Sequence, residues 1–123
     1  MASEITVQVS LKATKTNLVV PKFGGTAFQP TMTGTNVTAG CQAIGFAAHE
    51  TIPVTDVGTP GWAYFKNTDA TNFVQIGTDV AAAFVPFVKL LANEECVLRL
   101  GTTAPYAKAD TASVDLQYVI LET

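Results

Sequence analysis

The fold is decided by the stretch Gly-Trp-Ala-Tyr-Phe-Lys-Asn at 61–67, which continues through Thr-Asp-Ala-Thr to Asn-Phe-Val-Gln-Ile-Gly at 72–77. Aromatic and β-branched residues fill both runs, and this composition predicts an antiparallel hairpin with a short polar loop. Phe-Val-Pro-Phe-Val-Lys-Leu-Leu at 84–91 and Glu-Cys-Val-Leu-Arg-Leu at 95–100 predict a second hairpin. Two consecutive hairpins rich in core-forming residues are typical of the nucleus of a β-sandwich.

The two ends of the chain carry the longest alternating patterns. Apolar and polar residues alternate over 4–13 and again over 113–122, and this period of two predicts half-buried strands. The apolar face of the first strand would hold Ile5, Val7, Val9 and Leu11, and that of the last strand Val114, Leu116, Tyr118 and Ile120. Because the two strands match in length and pattern, we expect them to lie side by side in one sheet.

Shorter extended runs fill the rest of the chain. They are 18–20, stopped by Pro21, then 27–33, 41–46, 50–54 and 105–109. Nine to eleven short strands predict an all-β chain, a single-domain antiparallel β-sandwich over residues 1–123. A jelly-roll-like arrangement is the first choice, with an immunoglobulin-like sandwich as the alternative.

One segment also has helical features. Asp79 could cap a helix through the alanines that follow, but Pro86 would lie inside it at a cost of about 3 kcal/mol. We therefore predict a loop over 78–82 followed by a strand.

Composition limits the function classes. Charged residues make up 14% of the 123, hydrophobic residues 48%, and the net charge is -3, so nucleic acid is not an expected partner. No apolar run is long enough to span a bilayer and no secretory signal is recognised, so we expect no membrane partner and synthesis and folding in a cytoplasm. Interfaces are depleted in charge, so the charge-poor composition favours an assembly protein.

The residues that could carry chemistry do not form a catalytic pattern. His49 is the one histidine, which leaves a hydrolytic triad or a histidine-based metal site without support, and we interpret it as a solvated loop residue. Asp69, Asp79, Glu94 and Glu95 fall in predicted turns, where carboxylates commonly serve solubility and turn formation. We predict no enzyme activity, no metal and no cofactor.

The cysteines and aromatic residues leave two questions open. Cys41 and Cys96 match no metal spacing, so buried free thiols are expected, with a disulfide as the alternative. The aromatic residues Trp62, Tyr64, Phe73, Phe84, Phe87 and Tyr106 could form a sugar-stacking platform, but we expect most of them in the core. Trp62 and Tyr64 share a strand face and are the candidate pair for glycan binding.

The segment 61–77 resembles a pattern in small structural proteins of tailed bacteriophages, together with 84–90, 94–100, 106–109 and 118–121. In that pattern an aromatic strand reaches an Asn-x-Asp turn, and a Phe-containing strand and a closing strand follow. Asn93 departs from it, because Gly more often precedes the Glu. The resemblance implies a non-enzymatic virion component, a decoration or cement protein on the capsid, assembled in the bacterial host cytoplasm.

The expected partners follow from that resemblance. They are the major capsid protein or other virion proteins, and further copies of the chain, with a trimer favoured. The likeliest docking edges are the first strand, around Ile5, Val7 and Val9, and the last strand, because an unpaired edge accepts another strand. Ordinary pairing within the domain is an equally good role for both. The alternative function is a tail- or fibre-associated receptor or glycan-binding module that uses Trp62 and Tyr64.

Overall fold

The computed structural model describes residues 4–101 and 104–122. All regular structure in these residues is β-strand and every pairing is antiparallel, which confirms the predicted all-β class. The strands are β1 Ser10–Lys15, β2 Leu18–Gly24, β3 Val37–Ile44, β4 Glu50–Thr51, β5 Pro60–Asn67, β6 Val74–Val80, β7 Ala83–Leu90, β8 Glu95–Arg99, β9 Tyr106–Ala109 and β10 Val114–Glu122. The chain divides into two compact units, residues 1–33 and 34–123. The single domain over 1–123 stays a prediction.

The first unit is an antiparallel ribbon. Strands β1 and β2 form a two-stranded sheet, and residues 4–9 continue the ribbon against 25–32 through the reciprocal bonds of Val7 and Phe28, both 2.9 Å. Its pairing shifts between Leu11 and Ala13, opposite Pro21, so β2 continues to Gly24 where the sequence predicted a stop. Gly24 has a φ of 82°, and a side chain there would collide with the carbonyl oxygen of Val9.

The second unit holds two four-stranded sheets. The β10 sheet has the order β3-β10-β5-β8, and the β6 sheet has the order β4-β9-β6-β7. Both sheets contribute to one core of buried side chains: Ile44, Ile52, Val57, Ala63, Phe65, Val74, Ile76, Leu90, Ala107, Ala109, Val114, Leu116, Tyr118 and Ile120. Face-to-face sheets around a shared core give the predicted β-sandwich.

The pairing is nested, as a jelly roll requires. Strand β3 pairs with β10, β4 with β9, β5 with β8 and β6 with β7, so eight strands form a long ribbon whose tip is β6–β7. Folding the ribbon over itself adds the pairings of β10 with β5 and of β9 with β6, which close the two sheets. The strand order is therefore the jelly-roll order.

This topology shows that both predicted hairpins are wrong. Strands β5 and β6 lie in different sheets, and so do β7 and β8. A turn-forming sequence between two apolar strands specifies only that the chain changes direction. Whether the two strands then pair in one sheet or lie in opposite sheets depends on how their apolar faces are buried. In a nested ribbon only the tip strands are both consecutive and paired.

The hairpin of β6 and β7, at the tip of the ribbon, lies in the segment for which a helix was the alternative prediction. Strand β6 continues to Val80, and Ala81 and Ala82 make the turn with positive φ angles of 53° and 68°. Pro86 lies opposite Gly77 beside a bulge in β7, which is an edge strand, and edges and bulges are the places where a sheet tolerates proline. A side chain on Gly77 would meet the carbonyl oxygen of Val85 at 2.1 Å. The helix alternative is therefore excluded, and the predicted loop is shorter than 78–82.

The pairing of the first and last strands in one sheet is also wrong. Strand β10 lies between β3 and β5, while β1 pairs with β2. The predicted apolar face of β10 is confirmed, since Val114, Leu116, Tyr118 and Ile120 are all buried. Matching patterns identify two half-buried strands but carry no information about which strands are neighbours.

Asn67 holds the two crossovers together at one end of the sandwich. Its side chain is fully buried, and Nδ2 donates to the carbonyl oxygens of Asn72, Leu90 and Leu91 at 2.8, 3.1 and 3.1 Å. Its Oδ1 accepts from the amide of Asp69 at 2.9 Å, and its backbone amide donates to the carbonyl of Glu94 at 2.9 Å. One residue therefore joins the 68–73 crossover to the 91–94 crossover.

We expect Asn67→Ala to lower the free energy of unfolding by about 2–4 kcal/mol, because it leaves several buried polar groups without their partner. Urea denaturation monitored by Trp62 fluorescence measures the change. Gln117→Ala removes an exposed amide from β10 and should change stability by less than about 0.5 kcal/mol. Equal effects of the two substitutions would contradict the role given to Asn67.

Candidate functional site

Trp62 and Tyr64 share one face of β5, as predicted, and this is the outer face of the sheet. Both are half-buried and alternate with the buried Ala63 and Phe65. The hydroxyl of Tyr64 donates to Glu95 Oε1 at 2.5 Å, and this hydrogen bond to a carboxylate raises the pKa of Tyr64. Their role in binding stays a prediction.

The predicted docking strands differ from expectation. Ile5 and Val7 are buried, and Val9 is 50% exposed. Strand β10 has a neighbour on each side, so the prediction that it offers a docking edge is wrong. An interaction role for Ile5, Val7 and Val9 stays a prediction.

The expectation that most of the six aromatic residues lie in the core is wrong. None of them is buried, and Phe87 is 63% exposed; the buried aromatic residues are Phe65 and Tyr118. Alternation places an aromatic residue on one of two faces without saying which face is covered. Five of the six remain half-buried on or beside the outer faces of the sheets.

His49 lies in the loop between β3 and β4, as predicted, but its side chain is held by other residues instead of being solvated. Its Nε2 lies 2.6 Å from Asp79 Oδ2. Its ring stacks on Phe84, with centroids 5.4 Å apart and planes 18° apart, and contacts Tyr106 at the same centroid distance. The loop after β3 is thereby joined to β6, β7 and β9.

Asp79 has two partners, His49 and the amide of Ala82, and the second gives it the turn-forming role that was expected. Its Oδ1 accepts from the amide of Ala82 at 3.0 Å, across the tip turn. The hydrogen bond from His49 is the main cause that lowers the pKa of Asp79, and the Ala82 amide adds to it. Sequence reasoning could not find this pair, because 30 residues separate its members.

A cleft of about 570 Å³ opens beside this pair; we call it the His49 cleft. It is lined by Ala47, Ala48, His49, Phe73, Gln75, Ala82, Phe84, Pro86, Lys108, Ala109 and Asp110. Lys89 lies 4.1 Å from the centroid of the Phe73 ring at one side. Apolar ring surfaces beside an amide, an ammonium and a carboxylate suit a hydroxyl-rich ligand with an apolar face.

The same cleft is poorly equipped for nucleophilic catalysis. An Asp–His pair can act as a general base, but the lining residues include no serine, threonine or cysteine to activate. Among the described residues, no cluster of three or more His, Cys, Asp or Glu could hold a metal ion. The part of the chain that the structure describes also contains no helix that could span a membrane.

Both cysteines are free thiols. Cys41 is exposed, which corrects the expectation of burial, while Cys96 is half-buried and this burial raises its pKa. The two residues lie on β3 and β8, the opposite edges of the β10 sheet, which at normal strand spacing are roughly 14 Å apart. The disulfide alternative within one chain is therefore excluded.

Two groups of exposed apolar residues stand out in the part of the chain that the structure describes. The first is on the ribbon of the first unit, where Leu11, Leu18 and Phe23 are 55–68% exposed. The second follows the free edge of the β6 sheet, where Val80, Val85, Phe87 and Leu91 are exposed. We call the second surface the β7 edge.

Comparison of the chain with protein-family models, with curated proteins and with solved structures found no match.

We expect Asp79→Asn to flatten the pH dependence of stability in acid. Because folding lowers the pKa of Asp79, the ionised carboxylate stabilises the fold above its unfolded pKa of about 3.9, and this contribution disappears as pH falls through the lower folded value. Urea unfolding at pH 7, 4 and 2.5 measures the slope. Asp115→Asn, at an exposed position on β10, is the matched control. Parallel profiles for the wild type and Asp79→Asn would contradict the prediction.

Proposed function

We propose that this chain is a non-enzymatic virion structural protein of a tailed bacteriophage, a decoration or cement protein that binds the outer capsid surface and stabilises the head. It would assemble in the bacterial host cytoplasm, with the major capsid protein as its principal partner and a small homo-oligomer, a trimer in the favoured case, as its working form. The resemblance, which covers the segments 61–77, 84–90, 94–100, 106–109 and 118–121, supplies the phage setting.

The β7 edge is the observation that carries the binding part of the proposal. Val85 and Phe87 on the edge strand β7 are 45% and 63% exposed, and Leu91, directly after this strand, is 50% exposed. An exposed, apolar edge strand is a surface that isolated proteins normally avoid, because it invites association. A partner surface that covers this edge would prevent nonspecific association through it.

The details of β7 indicate how such a partner would dock. Pro86 has no amide hydrogen, so the edge is a poor template for adding a continuous strand. Phe87 is the extra residue in the bulge, because Val88 pairs with Ile76 and Pro86 with Gly77. Docking would therefore depend on insertion of the Phe87 ring into an apolar pocket, and several copies on a repeating lattice would add their weak contacts.

We expect Phe87→Ser to reduce binding to phage heads about tenfold or more, because a large apolar anchor is lost. The measurement is co-sedimentation of the purified protein with heads that lack it, at several protein concentrations. Val37→Ser is the matched control, since Val37 is 50% exposed on β3, an edge strand of the other sheet. Failure of the wild type to sediment with heads would overturn the capsid proposal.

A second candidate is a tail- or fibre-associated receptor or glycan-binding module. The His49 cleft favours it, since Phe73 and Phe84 offer apolar rings next to Gln75, Lys108 and Asp110. Jelly rolls occur in both viral capsid and lectin domains, so the architecture does not choose between the two functions.

Binding to a glycan array distinguishes the two candidate functions. It also shows which aromatic site, the His49 cleft or the face of β5 with Trp62 and Tyr64, holds a sugar. If the cleft binds sugar, Phe73→Ala should abolish retention while Trp62→Ala leaves it intact, because stacking area is lost only in the cleft. Loss of retention with Trp62→Ala alone would place the glycan on the outer face of β5. An array without any retained glycan would remove this second candidate.

A further inference from the structure

The ribbon of the first unit has one apolar face. Leu11, Ala13 and Lys15 alternate on β1, and their cross-strand partners are Phe23, Val20 and Leu18. Leu11, Phe23 and Leu18 are 68%, 61% and 55% exposed. We call β1, β2 and their turn the N-terminal arm. A two-stranded hairpin is marginally stable alone in water, so an uncovered apolar face here calls for a partner.

Charge in the chain is divided between the two units. The arm carries Lys12, Lys15 and Lys22, and residues 5–49 contain no aspartate or glutamate. Residues 34–123 carry nine carboxylates against four lysines and arginines. The arm therefore carries a net positive charge, and the second unit of any other copy carries a net negative charge.

This difference in charge distinguishes two ways in which another copy could cover the apolar face of the arm, with its own arm or with its second unit. Pairing the arms of two copies would bring six lysines together with no carboxylate of the hairpins to offset them. Placing the arm of one copy on the second unit of another joins opposite charges, which favours encounter and fixes orientation. A contact between unlike surfaces is heterologous and closes into a ring when the rotation permits.

A receptor surface is present on the outer side of the β10 sheet. A groove of about 420 Å³ is lined by Ala39, Gly40, Cys41, Thr68, Gln117, Tyr118 and Val119; we call it the β3 groove. Cys41 and Ala39 are exposed there. Along the sheet, the apolar row continues from Ala39 through Val119 and Tyr64 to Val97.

Carboxylates accompany this apolar row. Asp115 is exposed on β10, two residues from Gln117, and Asp69 follows the groove residue Thr68. The neighbouring row holds Gln117, Lys66 and Glu95, so one lysine lies among these carboxylates. An apolar surface with carboxylates beside it matches a ribbon whose apolar face ends in Lys15.

We propose that the N-terminal arm of one copy docks its apolar face in the β3 groove of a neighbouring copy, so that the chain assembles by heterologous arm-to-groove contacts. The inference goes beyond the head-binding proposal, because it concerns copies of the chain in solution and uses neither the β7 edge nor a capsid.

Cys41 makes the contact directly testable. Chains with Leu11→Cys, Leu18→Cys or Phe23→Cys, each also carrying Cys41→Ser, are mixed with wild type and oxidised mildly. We expect a disulfide-linked pair from at least one of the three mixtures. Val19→Cys with Cys41→Ser is the matched control, since Val19 is 68% exposed and pairs with Thr14 on the other face of the arm.

The same mixtures give the results that would overturn the proposal. A disulfide that joins the arm cysteines of two chains would show arm-to-arm pairing. Equal linkage from Val19→Cys, or no linkage from any apolar-face position, would show that the β3 groove does not receive this face. Non-reducing electrophoresis followed by mass spectrometry of the linked peptides distinguishes these outcomes.

Light scattering coupled to size-exclusion chromatography measures the stability of the oligomer in the absence of phage heads. We expect Phe23→Ser to raise the dissociation constant of the oligomer about tenfold or more, and Val19→Ser to change it less than about threefold. Lys15→Glu should raise it about twofold to fivefold, and added salt should weaken the wild-type oligomer. A wild-type monomer at all concentrations would overturn the proposal, whereas an oligomer that ignores heads would sink only the capsid function.

Discussion

The buried amide of Asn67 is the interaction on which the architecture of the second unit depends. A jelly roll must carry consecutive strands from one sheet to the other, and every crossover leaves backbone groups without a sheet partner. Asn67 meets this requirement at two crossovers at once, because its side chain and backbone bond to residues before β6 and after β7. A buried polar residue with all its groups satisfied specifies one arrangement more sharply than an apolar residue of equal size could.

The loops around Asn67 are themselves organised by carboxylates. Asp69 accepts hydrogen bonds from the amides of Thr71 and Asn72, and these bonds lower the pKa of Asp69. Glu94 accepts from the amide of Leu91 at 2.8 Å, and Asn93 adopts a φ of 64°, which asparagine tolerates better than most residues. At the other end of β10, Glu122 bonds to the amides of Gly58, Thr35 and Asn36, which lowers its pKa. Much of the small acidic content of the chain therefore shapes loops.

The bonding of these carboxylates to loop amides affects how the exposed apolar surfaces are flanked by charge. Because several carboxylates of the second unit are engaged with backbone amides, its apolar residues are left at the surface with few charges to offset them. The β7 edge is the clearest case in the second unit. The N-terminal arm, in the first unit, has no carboxylate of its own and differs from the β7 edge in charge and in geometry. One is a bulged edge with a projecting phenylalanine, and the other is a basic ribbon with a single apolar face. Two such surfaces can serve two partners at the same time.

The sequence by itself determined the fold class, most of the strands and the buried face of β10, because period-two alternation and strand composition act locally. It also placed a loop over 78–82, which contains the tip turn, since Pro86 disfavours a helix there. It was wrong about 27–33, where only Phe28 forms a bridge, and about the start of β3, which is Val37 and not residue 41. Only the tertiary structure decided which strands pair, because two apolar runs joined by a polar turn fit either one sheet or two. The His49–Asp79 pair, the outward placement of Phe73 and Phe84, and the separation of Cys41 from Cys96 follow from that nested pairing, which joins residues distant in the chain.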